Sequence, residues 1–237
     1  MQKSKRTLGW GASLSFFAFS LVINSMGNVL TIATSQKIHP AFLGSAYWTA
    51  AENGWNVSFM GNTSFGLSIT FFVFGVLIAL LNMILDRKVD LIRFFGNLAF
   101  MVPFSMLIGA FSDWFNKIMP EADGFGMLAL YVLLNFFGVT LIAIAISIYQ
   151  RTNIVLHPAD DLMQILRFKY FKGNAGIAMW VSYIPPTIIG LIALIAVPDF
   201  SNYGLGTIFA FLFQGNITGW ADKAVFKDLK HQGITIE

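Results

Sequence analysis

The sequence predicts an all-α polytopic membrane protein of about six transmembrane helices in two inverted three-helix repeats, each repeat carrying a short re-entrant or interfacial helix. Three observations predict it. The chain is 56% hydrophobic and 11% charged, against roughly a quarter charged in soluble domains, so lipid must be the solvent for much of it. Six stretches reach or approach the ~20 apolar residues that cross a bilayer. The run His39-Pro40-Ala41 returns as His157-Pro158-Ala159, about half a chain later.

Taken in order, Lys3, Lys5 and Arg6 precede an apolar run over residues 8–33. That run exceeds the ~7–15 residues of a signal-peptide core, so it reads as a retained first span. A short apolar run over residues 40–51, started by Pro40, follows. Further spans are predicted over residues 64–85, 94–111 and 125–149. A second Pro-started run covers 158–171, placing Leu162, Ile165, Leu166 and Phe168 near one side of a helix, with Arg167, Lys169 and Lys172 toward its end. Spans over 175–197 and 203–220 complete the chain. No Asp, Glu, Lys, Arg or His falls inside the six spans, as the cost of a charge at the bilayer centre requires. Proline suits the first position of each short helix because its missing N–H would be unpaired there anyway. Each short helix then lies flat in the interface or dips inward under protein cover.

With the N-terminus inside, every Lys and Arg except Lys37 and Lys117 falls on one side, which the positive-inside rule makes cytoplasmic, together with both termini. Trp10, Trp114, Trp180 and Trp220 stand near span ends as interfacial anchors. Three spans per half is odd, so the second half enters the membrane upside down, an arrangement common among secondary transporters. Gly96, Gly109 and Asp113 in the third span and its end are echoed by Gly206, Gly219 and Asp222 in the sixth. Residues 1–120 form the first repeat and 121–237 the second, within one membrane domain.

The net charge of +3 fits cytoplasmic loops and not nucleic-acid binding, and the absence of cysteine excludes disulfides and thiolate metal sites. There is no phosphate-cradling loop, dinucleotide fingerprint or HExxH motif, and no serine elbow with a partner histidine, so no enzymatic activity and no cofactor is expected. Asp160 and Asp161 stand in the first turn of a helix capped by His157, where amide groups and the dipole favour an anion. They either cap an interfacial helix or are carried inward to meet a cation or polar solute. His39 and His157 precede prolines in matching places and suit a cap or turn role; no metal site is expected. His231 reads as a solvated tail residue. Asn24 and Asn28 share one face of the first span. With Asn97, Asn135, Gln214 and Asn216 they either hydrogen-bond between helices or line a polar cavity. Pro103 and Pro185-Pro186 are expected to interrupt their helices, and Gly215 with Gly219 offers a face for close packing.

Several runs resemble a known group. Ser25-Met26-Gly27-Asn28, Arg93-Phe94-Phe95-Gly96-Asn97-Leu98, Ile146-Ser147-Ile148-Tyr149-Gln150-Arg151, Leu156-His157-Pro158-Ala159-Asp160-Asp161, Arg167-Phe168-Lys169-Tyr170-Phe171-Lys172-Gly173-Asn174 and Gly206-Thr207-Ile208-Phe209-Ala210 are similar to bacterial membrane proteins of the YczE/YyaS/YitT group. The likeness implies a bacterial plasma-membrane address and a fold shared with proteins labelled permeases. Relatives place an Asp two residues after the proline; it is present here as Asp160, whereas Phe42 fills the matching place in the first copy.

These readings converge on a small-molecule permease, a secondary transporter or facilitator, with a central polar site between two Pro-initiated half-helices. Its expected substrate-binding residues are Asp160, Asp161, His157, His39, Asn24 and Asn28. The competing expectation is a non-transporting membrane scaffold or partner subunit, including the substrate-binding subunit of a multi-component transporter. Expected partners are the lipid bilayer and an unidentified small molecule, with room for a membrane protein partner or a homo-oligomer.

Overall fold

A computed structural model of the protein describes residues 7–232; Lys3, Lys5 and Arg6 lie outside the described residues. Among those, all regular structure is helical: α1 (Trp10–Gln36), α2 (Tyr47–Phe59), α3 (Ser64–Asp86), α4 (Leu91–Ile118), α5 (Gly124–Thr152), α6 (Pro158–Ile165), α7 (Ala175–Ser182), α8 (Ile184–Ala196) and α9 (Leu205–Ala224). A π-turn over Leu166–Tyr170 extends α6. Five helical stretches are long and apolar enough to cross a membrane: α1, α3, α4, α5 and the combined run of α7 and α8. The sixth predicted span is the 20-residue α9, which also carries Gln214, Asn216 and Asp222.

The exterior carries large apolar side chains, while the interior holds amides beside its apolar core. Phe65, Ile84, Ile92, Met106, Phe125 and Ile195 are exposed, while Asn24, Asn28, Asn82, Asn97, Asn135 and Gln150 are buried. An apolar exterior around a hydrogen-bonded interior is what a hydrocarbon solvent selects.

The two prolines of the sequence echo behave differently. Pro158 opens α6, with the His157 side chain accepting the Ala159 amide at 3.2 Å as an N-cap. Pro40 opens no helix: the chain from Pro40 to Ala46 has no regular structure, and α2 begins only at Tyr47. The reason lies across the bundle. The carbonyls of Phe42 and Leu43 accept the amides of Leu205 and Gly206 at 3.1 and 2.6 Å, and the Ser45 amide donates to Asn202 at 3.1 Å. Residues 42–45 thereby satisfy the free donors that the start of α9 would otherwise bury. Asn135 fixes the same strap, donating to Gly44 O at 2.9 Å and to Thr31 O and Thr34 Oγ1 at 3.1 Å. Asn135→Ala leaves these acceptors dry and is expected to cost about 1 to 3 kcal/mol, read as a lower unfolding temperature in detergent; an unchanged temperature contradicts it.

Pro103 does not end its helix, since α4 runs through it. Pro185-Pro186 does divide the predicted fifth span, into α7 and α8 at Tyr183. Gly215 meets α7 closely: a methyl there would stand 3.0 Å from Ala175 O and from Gly176 Cα. Each short helix leans on the opposite half, α2 on α8 and α6 on α3, while α1 packs on α4, α5 on α9, and α1 on α5.

Candidate functional site

An interfacial helix keeps one side in water, yet every residue of α6 is buried, and so are Thr49, Ala50, Ala51, Glu52, Asn53, Gly54 and Asn56 of α2. The first turns of both short helices line the same small cavity, about 40 Å³, together with α1, α3, α4, α5 and α9. Its polar wall consists of Asn24, Asn28, Thr49, Glu52, His157, Asp160 and Gln214, set against Phe71, Phe104, Ile142 and Ile146.

One hydrogen-bonded chain ties the wall together. Asn28 Nδ2 donates to Asn24 Oδ1 at 2.6 Å, and Thr49 donates to Asn28 Oδ1 at 2.5 Å. Asn24 Nδ2 donates to the Tyr149 hydroxyl at 2.9 Å, and that hydroxyl donates to the Asp160 carboxylate. The expected pair Asn24 and Asn28 thus meets the expected pair His157 and Asp160. The break before α8 serves the same place, because the Tyr183 hydroxyl donates to Gln214 Oε1 at 3.2 Å.

Two expected residues lie elsewhere. Asp161 sits one position past Asp160 and so faces away from the cavity: Arg93 grips it from Nε at 2.9 Å and Nη2 at 2.5 Å, and Asn97 donates to it at 2.9 Å. The amide of Asn82 adds a bond to Pro158 O at 2.8 Å, so Asp161 locks α6 to α3 and α4. His39 is exposed, with Nε2 3.3 Å from Glu121. The carboxylate of Glu121 is held below its usual range chiefly by its hydrogen bond from Lys37, at 2.8 Å, and also by His39. Of the remaining amides, Asn97 serves Asp161, Asn135 serves two backbone carbonyls and the Thr34 hydroxyl, and Asn216 is exposed. His231 is not solvated: its Nε2 stands 3.6 Å from Asp222 and its ring meets Phe168 edge-on.

Glu52, on the cavity wall, and Tyr149, hydrogen-bonded to that wall, are the groups that span-by-span reading passes over. Glu52 is 2% exposed and, among the described residues, makes no hydrogen bond or ion pair. One signal does mark it: it is the only charged residue between His39 and Asp86.

An apolar exterior, five helical stretches of spanning length and buried polar groups at the centre define an all-helical chain compatible with a multi-pass membrane protein. The chain belongs to DUF6198, a family of unknown function whose pattern matches residues 12–223. No curated protein and no solved structure matches it. The family carries none of the YczE/YyaS/YitT names, so that likeness stays one of short motifs.

Proposed function

We infer that the protein is a small-molecule permease, a secondary transporter or facilitator, built as six spans in two inverted halves around the α2 and α6 half-helices. The carrying observation is the convergence of both helix starts on one polar cavity. Half-helices that meet inside a bundle put irregular backbone where it lines a cavity, the arrangement transporters use for their sites. Inversion is supported by the pairing of contacts: α2 on α8 mirrors α6 on α3, and α1 on α4 mirrors α5 on α9. An even number of crossings is supported by the meeting of the chain's described ends, where the amides of Thr7 and Leu8 donate to Gln232 Oε1 at 2.8 and 2.9 Å.

The two ends of the bundle are unequal, as alternating access requires. Where α1, α2, α3 and α4 meet, a polar vestibule of about 370 Å³ opens beside Asn53, Asn56 and Asn116. In the corresponding place of the second half, Arg151, Arg167 and Asp222 fill the space with an ion cluster. Purified protein in proteoliposomes should take up at least one member of a broad panel of metabolites. Asp160→Asn should slow that uptake about tenfold or more, the cost of one charge-assisted contact. Uptake of nothing by wild type overturns the reading, and a stoichiometric protein co-purifying in gentle detergent would turn it toward a membrane scaffold.

A further inference from the structure

We propose that the central cavity is a monovalent-cation site, with the carboxylates of Glu52 and Asp160 as its charged ligands; this rests on the permease reading and names what its site holds. Glu52 arrives from α2 and Asp160 from α6, and among the described residues no Lys or Arg lines the cavity they share. The guanidinium of Arg93, which reaches α6, is already committed to Asp161 and Asp86. Asp160 has one neutral donor, Tyr149, and lies 3.7 Å from His157 Nδ1. That nitrogen accepts the Ala159 amide, so in the neutral ring it carries no proton and brings no charge to Asp160.

Unpartnered atoms at the same place point to a ligand. Glu52, 2% exposed, lines the cavity with no hydrogen bond among the described residues, and His157, 8% exposed, leaves Nε2 without a partner. Buried polar groups are ordinarily satisfied, so these two call for a third party inside the cavity. Charge arithmetic sets its valence. A bound cation would hold both carboxylates ionised, giving two negative charges, against which the starts of α2 and α6 each set at most about half a positive charge. About one negative charge remains, which one monovalent cation cancels and one divalent cation overshoots. Size agrees: about 40 Å³ admits a few water-sized groups, enough for sodium or ammonium with a water on His157 Nε2, and too little for a sugar or an amino acid.

The test uses the purified full chain in detergent, melted in sodium, lithium, potassium, ammonium or choline chloride at one pH and ionic strength. One small cation should raise the unfolding temperature saturably over choline, by several degrees once well above its dissociation constant. Glu52→Gln and Asp160→Asn should each weaken that dependence about tenfold or more, whereas His39→Ala, on the surface, should leave it intact. Glu52→Gln is isosteric at a side chain without partners, so it should melt no lower than wild type in choline, which separates lost binding from lost folding. Equal melting in all five salts overturns the site, as does a cation response that survives both substitutions. Uptake of a solute without any cation response sinks this site and leaves the permease. Saturable cation binding without uptake of anything keeps the site and sinks the permease.

Discussion

Asp222→Ala is expected to cost about 3 to 5 kcal/mol of stability, the range for removing one partner of a buried ion pair. Among the described residues, the carboxylate is the only anion paired with this cluster of three basic side chains. Arg167 Nη2 approaches it at 2.7 Å, Arg151 Nε at 3.7 Å and His231 Nε2 at 3.6 Å, while Ser147 donates to it at 2.7 Å. Both guanidinium groups are buried and have further duties. Arg151 Nη1 donates to the carbonyls of Val225, Phe226 and Leu229 at 2.9 to 3.2 Å, closing the end of α9. Arg167 Nε holds Gly173 O at 2.8 Å. Alanine at 222 leaves two desolvated positive charges side by side, and that repulsion, more than the lost bonds, sets the size of the effect. Asp222→Asn keeps an acceptor for Ser147 and should cost less than alanine. The measurement is thermal unfolding in detergent followed by size exclusion. A loss under about 1 kcal/mol, the worth of an exposed pair, would show that the cluster is hydrated and not packed. Combining Asp222→Ala with Arg167→Met should recover part of the loss, because the second change removes one stranded charge.

Sequence reading located the spans because hydropathy is a property of single helices. The start of α3 at Ser64 and of the α7 and α8 run at Ala175 agree with their expected positions. The third span is where it fell short: α4 continues from Leu91 to Ile118 beyond the expected 94–111, since Asp90 caps its start by accepting the Arg93 amide at 3.0 Å and polar residues extend its far end. The site was half legible. Asn24, Asn28, His157 and Asp160 stood out as polar groups in apolar surroundings. The roles of Asp160 and Asp161 did not, because adjacent helical residues differ by about 100° in direction and only the tertiary positions of Tyr149 and Arg93 tell the two apart. The match of His39 to His157 misled for a related reason. Identical tripeptides entered different neighbourhoods, one at the exposed surface beside Glu121, the other between Phe100 and Phe104. What decides α2 is the start of α9, a partner more than 150 residues away in sequence.

Gly27→Leu is expected to abolish the folded protein, and Gly27→Ala to destabilise it by about 1 to 3 kcal/mol, the usual cost of overpacking. The crossing of α1 and α5 leaves no room there. A methyl group on Gly27 would stand 2.7 Å from Gly138 O and 3.0 Å from Ile142 Cγ1; one on Gly138 would stand 2.8 Å from Thr31 Cγ2 and 2.9 Å from Gly27 O. Two of these four obstacles are backbone oxygens, which cannot turn aside as a side-chain tip can, so the helices themselves must separate. Asn24 lies one turn from Gly27 and donates across this junction to Tyr149, so any separation also loosens the cavity wall that Asp160 completes. Gly11 supplies the control. It is also in α1, but nothing stands within 4 Å of the added methyl, so Gly11→Ala should be neutral or stabilise by up to about 1 kcal/mol through helix propensity alone. The comparison is made on unfolding temperature and on monodisperse yield from the membrane. Equal behaviour of Gly27→Ala and Gly11→Ala would mean that α1 and α5 do not cross at these glycines. Gly138→Ala should reproduce the Gly27→Ala loss, and the double substitution should exceed the sum of the two, because each methyl consumes the space the other needs.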